Sequence, residues 1–163
     1  MSVRPATFAD VSGIVALLHE GHARSHYAKT DVMIDEREAR RLLVQAIQRH
    51  GSKNLGGTLV MVAEKADGRI SGVIVGTMSR LYGILDRMMA SDLFWLASID
   101  VDPADPVRLM KAMIEWAKAA PDCVEIKCGT SAIIRDDPKE AGRALERLGM
   151  KHYGEIYRME INQ

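Results

Sequence analysis

Apolar positions recur at helical spacing in two stretches near the N-terminus. Val11, Ile14, Val15, Leu17 and Leu18 predict a first helix running to about Ser25, and Ala39, Leu42, Leu43, Ala46 and Ile47 predict a second that stops at Gly51. Thr7 with Asp10, and Asp35 with Glu38, stand three apart as capping-box starts, and a polar stretch over 26–34 joins the two helices. The period then changes. Residues 3–6 predict a short first strand, 58–64 and 70–79 are rich in β-branched and apolar residues, and Ala66-Asp67-Gly68 between the latter two predicts an antiparallel hairpin. Residues 82–90 read as a short helix or lid. In 92–101 both alternate sets are apolar, Leu93, Trp95, Ala97 and Ile99 against Phe94 and Leu96, the pattern of a central strand covered on both faces. Ser98 and Asp100 are its polar exceptions, sharing one face near the end.

Asp105-Pro106 predicts the start of the next helix, closed by Pro121, and 123–128 predicts a strand, which completes a βαβ unit. Asp137-Pro138 with Glu140 repeats the start signal. Ala141, Ala144, Leu145 and Leu148 then line one face before Gly149, and 150–161 reads as one or two final strands with Tyr153 and Tyr157 as packed aromatics. The predicted architecture is one α/β domain of the α+β type over 1–163: a mixed, mostly antiparallel sheet of six or seven strands flanked by about four helices.

Composition narrows the partners. Twenty-two Lys plus Arg balance 22 Asp plus Glu, so no net field draws the chain to nucleic acid or to an anionic membrane. No segment approaches the roughly 18 continuous apolar residues of a membrane span, and no secretory leader pattern opens the chain; a cytoplasmic protein is expected. Cys123 and Cys128, five apart, fall on opposite faces of a strand and read as buried thiols rather than a redox or zinc pair. Met61, Met78, Met88, Met89, Met110 and Met113 read as core filler. His19, His22 and His26 share a helical face, but no carboxylate or cysteine cluster accompanies them; the expectation is a polar face or a lip beside an acceptor, with no metal.

The order of these elements, the opening Val3-Arg4-Pro5-Ala6-Thr7 with Ala9-Asp10-Val11, the Asp102-Pro103 junction before a helix carrying Trp116-Ala117, and the closing Leu145-Glu146-Arg147-Leu148-Gly149-Met150 together resemble the Gcn5-related N-acetyltransferase family over nearly the whole chain. Gly72-Val73-Ile74-Val75-Gly76 and Asp92-Leu93-Phe94-Trp95 resemble its phage-encoded members. The resemblance implies acetyl-CoA as co-substrate and a small-molecule or peptide amine as acceptor. It implies Asp100 as general base with a pKa raised by its covered face, Ser98 ordering a water, main-chain groups of Ile99 and Val101 against the pantetheine arm, and Val107, Arg108 and Leu109 beside the pyrophosphate. A homodimer, the commonest closed assembly, is allowed for.

Two departures from that pattern stand out. The family's glycine loop, whose bare backbone approaches the pyrophosphate, is absent between Val101 and Arg108, where two carboxylates stand instead. Leu145 occupies the position of the tyrosine that protonates the departing thiolate. A non-catalytic binding or structural protein on the same fold, of phage or prophage type, is therefore the alternative to an acetyltransferase.

Overall fold

The computed structural model describes residues 2–130 and 138–161. The Asp137 cap expected from sequence lies outside these. Element order is β1 (Ser2–Pro5), α1 (Val11–Ala23), α2 (Glu36–Gln48), β2 (Thr58–Glu64), β3 (Ile70–Arg80), β4 (Met88–Ala97), α3 (Asp105–Lys118), β5 (Cys123–Lys127) and α4 (Pro138–Arg147), with short 3₁₀ turns at Phe8–Asp10, His26–Lys29 and Leu81–Gly83. One sheet of five strands runs in the order β1-β2-β3-β4-β5; β1 to β4 are antiparallel neighbours and β5 joins β4 in parallel. The four helices and the mixed, mostly antiparallel sheet match the sequence reading. The sheet has five strands rather than six or seven, because 150–161 forms no ladder with any strand.

The sheet's two faces carry separate cores, as period-2 alternation requires. On one face Ile14, Leu17 and Leu43 of the first two helices pack on Val60, Val62, Val73, Val75 and Leu96. On the other, Leu109, Met110, Met113 and Trp116 of α3, with Leu145 of α4, pack on Leu59, Ile74, Met78 and Ala90. Glycines set how closely α3 approaches: a Cβ at Gly72 would stand 3.0 Å from Leu109 Cδ1, and one at Gly76 3.3 Å from the Trp116 ring. Helix starts follow the sequence signals, with Asp35 Oδ1 accepting from the Glu38 amide (3.1 Å) and Asp10 Oδ2 from the Thr7 amide (2.7 Å).

Three local differences matter later. The central strand begins at Met88 and ends at Ala97, four residues before the expected bounds at each end, because 88–91 extend the hairpin with β3 and the chain turns after Ala97. Cys123 and Cys128 both face the α3 core instead of opposite faces: Cys123 aligns with Met88 and Glu125 with Met89, so Val124 is an extra residue that flips the alternation. Tyr153 and Tyr157 are 73% and 87% exposed, not packed, since no strand forms around them.

Arg4 on β1 anchors the start of the first helical turn. Its guanidinium meets Asp10 at 2.8 Å through both terminal nitrogens and Glu64 on β2 at 2.6 Å. The Arg4 hydrogen bonds hold buried Asp10 down to a pKa of about 2 from 3.8, against the opposing effect of burial. A depressed carboxylate stabilises the fold above its unfolded pKa and loses that contribution as pH falls through the folded one. Asp10 therefore contributes about 1–2 kcal/mol above pH ~4, lost between about pH 4 and 2. Urea unfolding of wild type and Arg4→Met across that range should show the wild type steeper by this amount; parallel curves would refute the assignment.

Candidate functional site

β4 carries one residue more than its partner strand. Val75 aligns with Phe94 but Gly76 with Asp92, which leaves Leu93 bulged and 49% exposed. A bulge bends its strand and adds local twist. On the other side of β4 the parallel ladder with β5 runs from Met88–Cys123 to Ser91–Lys127 and stops there, one residue before Asp92. Beyond this rung the strands part.

The phase of the β3–β4 ladder tells which main-chain groups face the opening. Ser98 N–H donates to the Ser71 carbonyl (2.8 Å), so Ser98, Leu96 and Phe94 turn their main-chain groups toward β3. Trp95 and Ala97 turn theirs the opposite way, along an edge with no strand beside it among the described residues. The Ala97 carbonyl accepts from Arg24 Nη2 (2.7 Å), which leaves the Trp95 amide and carbonyl and the Ala97 amide facing the gap. The Trp95 indole donates to the Pro106 carbonyl (3.0 Å) and ties the edge to the start of α3.

Asp92 stands at the apex of the gap with its carboxylate on the α3 side. Gly129 N–H donates to its Oδ1 (3.2 Å), and the Cys128 thiol lies beside it. Burial raises the Asp92 pKa despite the Gly129 and Cys128 contacts. Burial, then the Asp92 charge, pushes the Cys128 thiol up to about 12, so it stays protonated and is not a nucleophile. Sequence reasoning passed over Asp92 because it was placed at the strand's first residue, where a carboxylate is unremarkable. Its true place is mid-strand, flanked by Ser91 and Leu93, and the apolar Met88-Met89-Ala90 run before it is the signal that could have found it.

The residues expected from sequence to form the site lie beyond the end of β4. Ser98, Ile99, Asp100 and Val101 form a turn after β4, not its last rungs. The Ile99 amide donates to Glu20 Oε1 (2.9 Å) and the Val101 amide to the Ser98 carbonyl (3.2 Å), so both are engaged. Ser98 Oγ lies 2.8 Å from Asp100 Oδ1 and 2.9 Å from Glu20 Oε1, its one proton shared by two carboxylates. Asp100 is half exposed and meets both Arg69 and Lys65, which, with Ser98, hold its pKa far below the ordinary range. The raised pKa expected there is corrected: two cations from the β2–β3 hairpin outweigh what little burial the turn provides.

At α3 the first-turn amides are mostly spent. Ala104 N–H donates to Asp102 Oδ1 (2.8 Å) and Asp105 N–H to the Asp102 carbonyl (2.9 Å), Pro106 has none, and the Arg108 amide reaches Ala104 (3.0 Å). Val107 keeps the one amide of this turn with no partner among the described residues. Arg108 Nη1 is held by buried Asp105 (2.8 Å), and Leu109 is fully buried against Gly72. The helix end that could hold a pyrophosphate thus keeps one free amide and is bordered by the carboxylates of Asp102 and Asp105. His19 bonds Glu36 (2.9 Å) and His22 the Val32 carbonyl (2.8 Å), securing the 24–35 linker.

The two aspartates should separate in a carboxyl carbon NMR titration, where an ordinary aspartate has its midpoint near about 3.9. Asp100 is expected to remain charged well below that pH and Asp92 to gain its proton above it. The reverse order would overturn the electrostatics of the site.

No family model and no curated protein sequence matches the chain. Solved structures do. An acetyltransferase from Trypanosoma brucei is 13% identical, with 98% of this chain and 99% of that one aligned at a TM-score of 0.68. Glucosamine-6-phosphate N-acetyltransferase from Arabidopsis thaliana is 11% identical over 99% and 98% of the two chains (TM-score 0.69). An aminoglycoside antibiotic N-acetyltransferase from Acinetobacter haemolyticus is 13% identical over 100% and 99% (TM-score 0.67). At such identities the likeness is one of fold, and the chain has the fold of these acetyltransferases across its length.

Proposed function

We propose that the protein is an N-acetyltransferase that takes its acetyl group from a pantetheine thioester lodged between β4 and β5. The observation that carries this reading is the gap itself: a ladder that ends at Ser91–Lys127, a bulge at Leu93, and main-chain groups of Trp95 and Ala97 left facing the opening. A pantetheine arm, with its two amides, fits such an edge as an added strand would. The thioester supplies an activated acetyl carbon. The chain's contribution is to place the acceptor amine against that carbon and to move one proton.

Asp92 is the group for the proton. As the amine nitrogen bonds to the carbonyl carbon and the carbon–sulfur bond breaks, the amine loses a proton and the thiolate needs one. A carboxylate with a raised pKa is a stronger base than an ordinary aspartate, and at the apex of the gap it can accept the first proton, directly or through one water, and return it to the sulfur. A thiol of pKa about 8.5 departs readily enough that one shared group can serve in place of the tyrosine missing at Leu145. Asp100, held ionised by Arg69 and Lys65, is a weak base and secures the turn beside Glu20.

The residues fit the pantetheine part of acetyl-CoA and not its pyrophosphate. Asp102 takes the Ala104 amide and Asp105 holds the Arg108 guanidinium, which leaves the Val107 amide as the free donor of the first turn, and the two carboxylates add negative charge at the helix end. This is the observation that favours the second reading, a non-catalytic protein on the acetyltransferase fold.

Calorimetric titration separates the two readings. Acetyl-pantetheine, which lacks the nucleotide, is expected to bind within about 10-fold of acetyl-CoA, since the helix start offers a phosphate one amide and an arginine already paired with Asp105. Acetyl-CoA binding about 100-fold tighter would show that the α3 end does take the pyrophosphate; no binding of either would leave only the non-catalytic reading. With a working acceptor, Asp92→Asn should lower turnover by about 100-fold or more while Asp100→Asn changes it little. Equal effects would remove Asp92 from its role.

A further inference from the structure

On the sheet face turned away from α3, residues 77–91 and 125–127 leave a basin that neither α1 nor α2 covers. Ladder register puts Thr77, Ser79, Met89, Ser91, Glu125 and Lys127 on that face, since their neighbours Met78, Ala90 and Ile126 pack under α3. A cavity of about 530 Å³ lies over it, walled by Leu55, Arg80 and the Tyr82-Gly83 turn. Met89, part of its lining, stands two residues before Ser91, whose rung with Lys127 is the last before the gap between β4 and β5.

Tyr82 is the unusual member. Its φ is +51°, the left-handed region, and it is the one non-glycine residue so placed among those described. Gly83 follows at φ +76°, so the two residues turn as a pair that asparagine and glycine would fill without strain. An aromatic side chain in that conformation is strained, because its Cβ crowds the following carbonyl oxygen. Packing does not compensate, because the residue is 63% exposed. What the strain secures is position. The Tyr82 hydroxyl meets the Tyr153 hydroxyl at 2.7 Å, and Lys127 Nζ lies 4.2 Å from the Tyr82 ring centre and 5.1 Å from that of Tyr153. Two phenols so paired spend one proton on each other and keep the other for a ligand. Tyr153, then Lys127, hold the Tyr82 phenol below its usual pKa, which strengthens it as a donor.

The charged groups around the basin favour an anion. Lys127 and Arg80 supply two cations, and Glu125, 3.3 Å from Lys127, offsets part of one. Among the described residues the Arg80 guanidinium has the Leu85 carbonyl, at 3.3 Å, as its hydrogen-bond partner. With a phenol proton, an ammonium and a guanidinium around an apolar floor of Met89 and Leu55, the basin can receive a carboxylate or phosphate whose carrier extends toward the gap.

We propose that Tyr82, Lys127 and Arg80 form an acceptor subsite that holds an anionic group of the substrate, so that the acceptor is a primary amine that also carries a carboxylate or phosphate. This rests on the transferase reading for the word acceptor; the subsite itself does not.

Binding is tested by calorimetry on the full chain with two matched pairs, 4-aminobutyrate against butylamine and O-phosphoethanolamine against ethanolamine, which also tells carboxylate from phosphate. At least one anionic amine should bind about 10-fold or more tighter than its neutral partner, and Tyr82→Phe and Lys127→Met should each remove about 10-fold of that preference without changing the neutral amine. Tyr82→Asn is expected to raise the melting temperature by a few degrees, through relief of the turn, and yet lose the preference. Equal binding of charged and neutral amines, binding of neither, or an unchanged preference in Tyr82→Phe would overturn the subsite. Selective binding without thiol release from acetyl-CoA or acetyl-pantetheine would count against the transferase reading alone. Acetylation of neutral amines as fast as charged ones, unaltered by Tyr82→Phe, would sink the subsite and leave the transferase standing.

Discussion

One extra residue in the central strand governs what this molecule can do. Leu93 has no partner on β3, so β4 bends where its parallel ladder with β5 ends, and the strand's far half presents an open edge. An open edge inside a sheet is ordinarily a liability, since unpaired amides and carbonyls invite any extended chain. Here it is confined to a short stretch, and the helices on both faces keep the rest from spreading: Leu96 is gripped by the α1 side, Trp95 by the Pro106 carbonyl on the α3 side. The gap is thus held open by packing on either side of it, not by looseness.

Much of this was legible in the sequence because the forces concerned are local. Amphipathic periods placed α1, α2 and α3 within a few residues, Asp35 marked its helix start, and Asp-Gly chemistry marked the β2–β3 turn. What was not legible depends on partners distant along the chain. Residues 88–91 belong to β4 only because β3 runs on to Arg80, and nothing between 82 and 90 announces that pairing. The bulges at Leu93 and Val124 are register effects between strands, so the faces assigned to Cys123 and Cys128 could not be read by counting alone. Asp100 looked like a covered carboxylate until Lys65 and Arg69, some thirty residues earlier, arrived beside it.

The tail over 150–161 shows the limit of pattern from another direction. Its alternating Tyr157, Met159 and Ile161 suit a strand, but a strand exists only where another offers an edge, and these residues remain 75–87% exposed. Side chains along it make separate contacts: Met150 packs on the α3-side core, Tyr153 joins Tyr82, and Arg158 meets His26 just after α1.

The two sides of the gap consequently differ in charge as well as in cover. On the α3 side lie Asp92, its neutral thiol neighbour and a helix start bordered by Asp102 and Asp105, surroundings that disfavour added negative charge. On the opposite side lie Lys127, Arg80 and a phenol pair with a proton to give. A donor and an acceptor entering from opposite sides would be sorted by this difference before any contact with the reacting atoms, because an anion gains on one side what it loses on the other. The fold supplies the opening between the strands. Residues at its rim make its two sides unlike in charge.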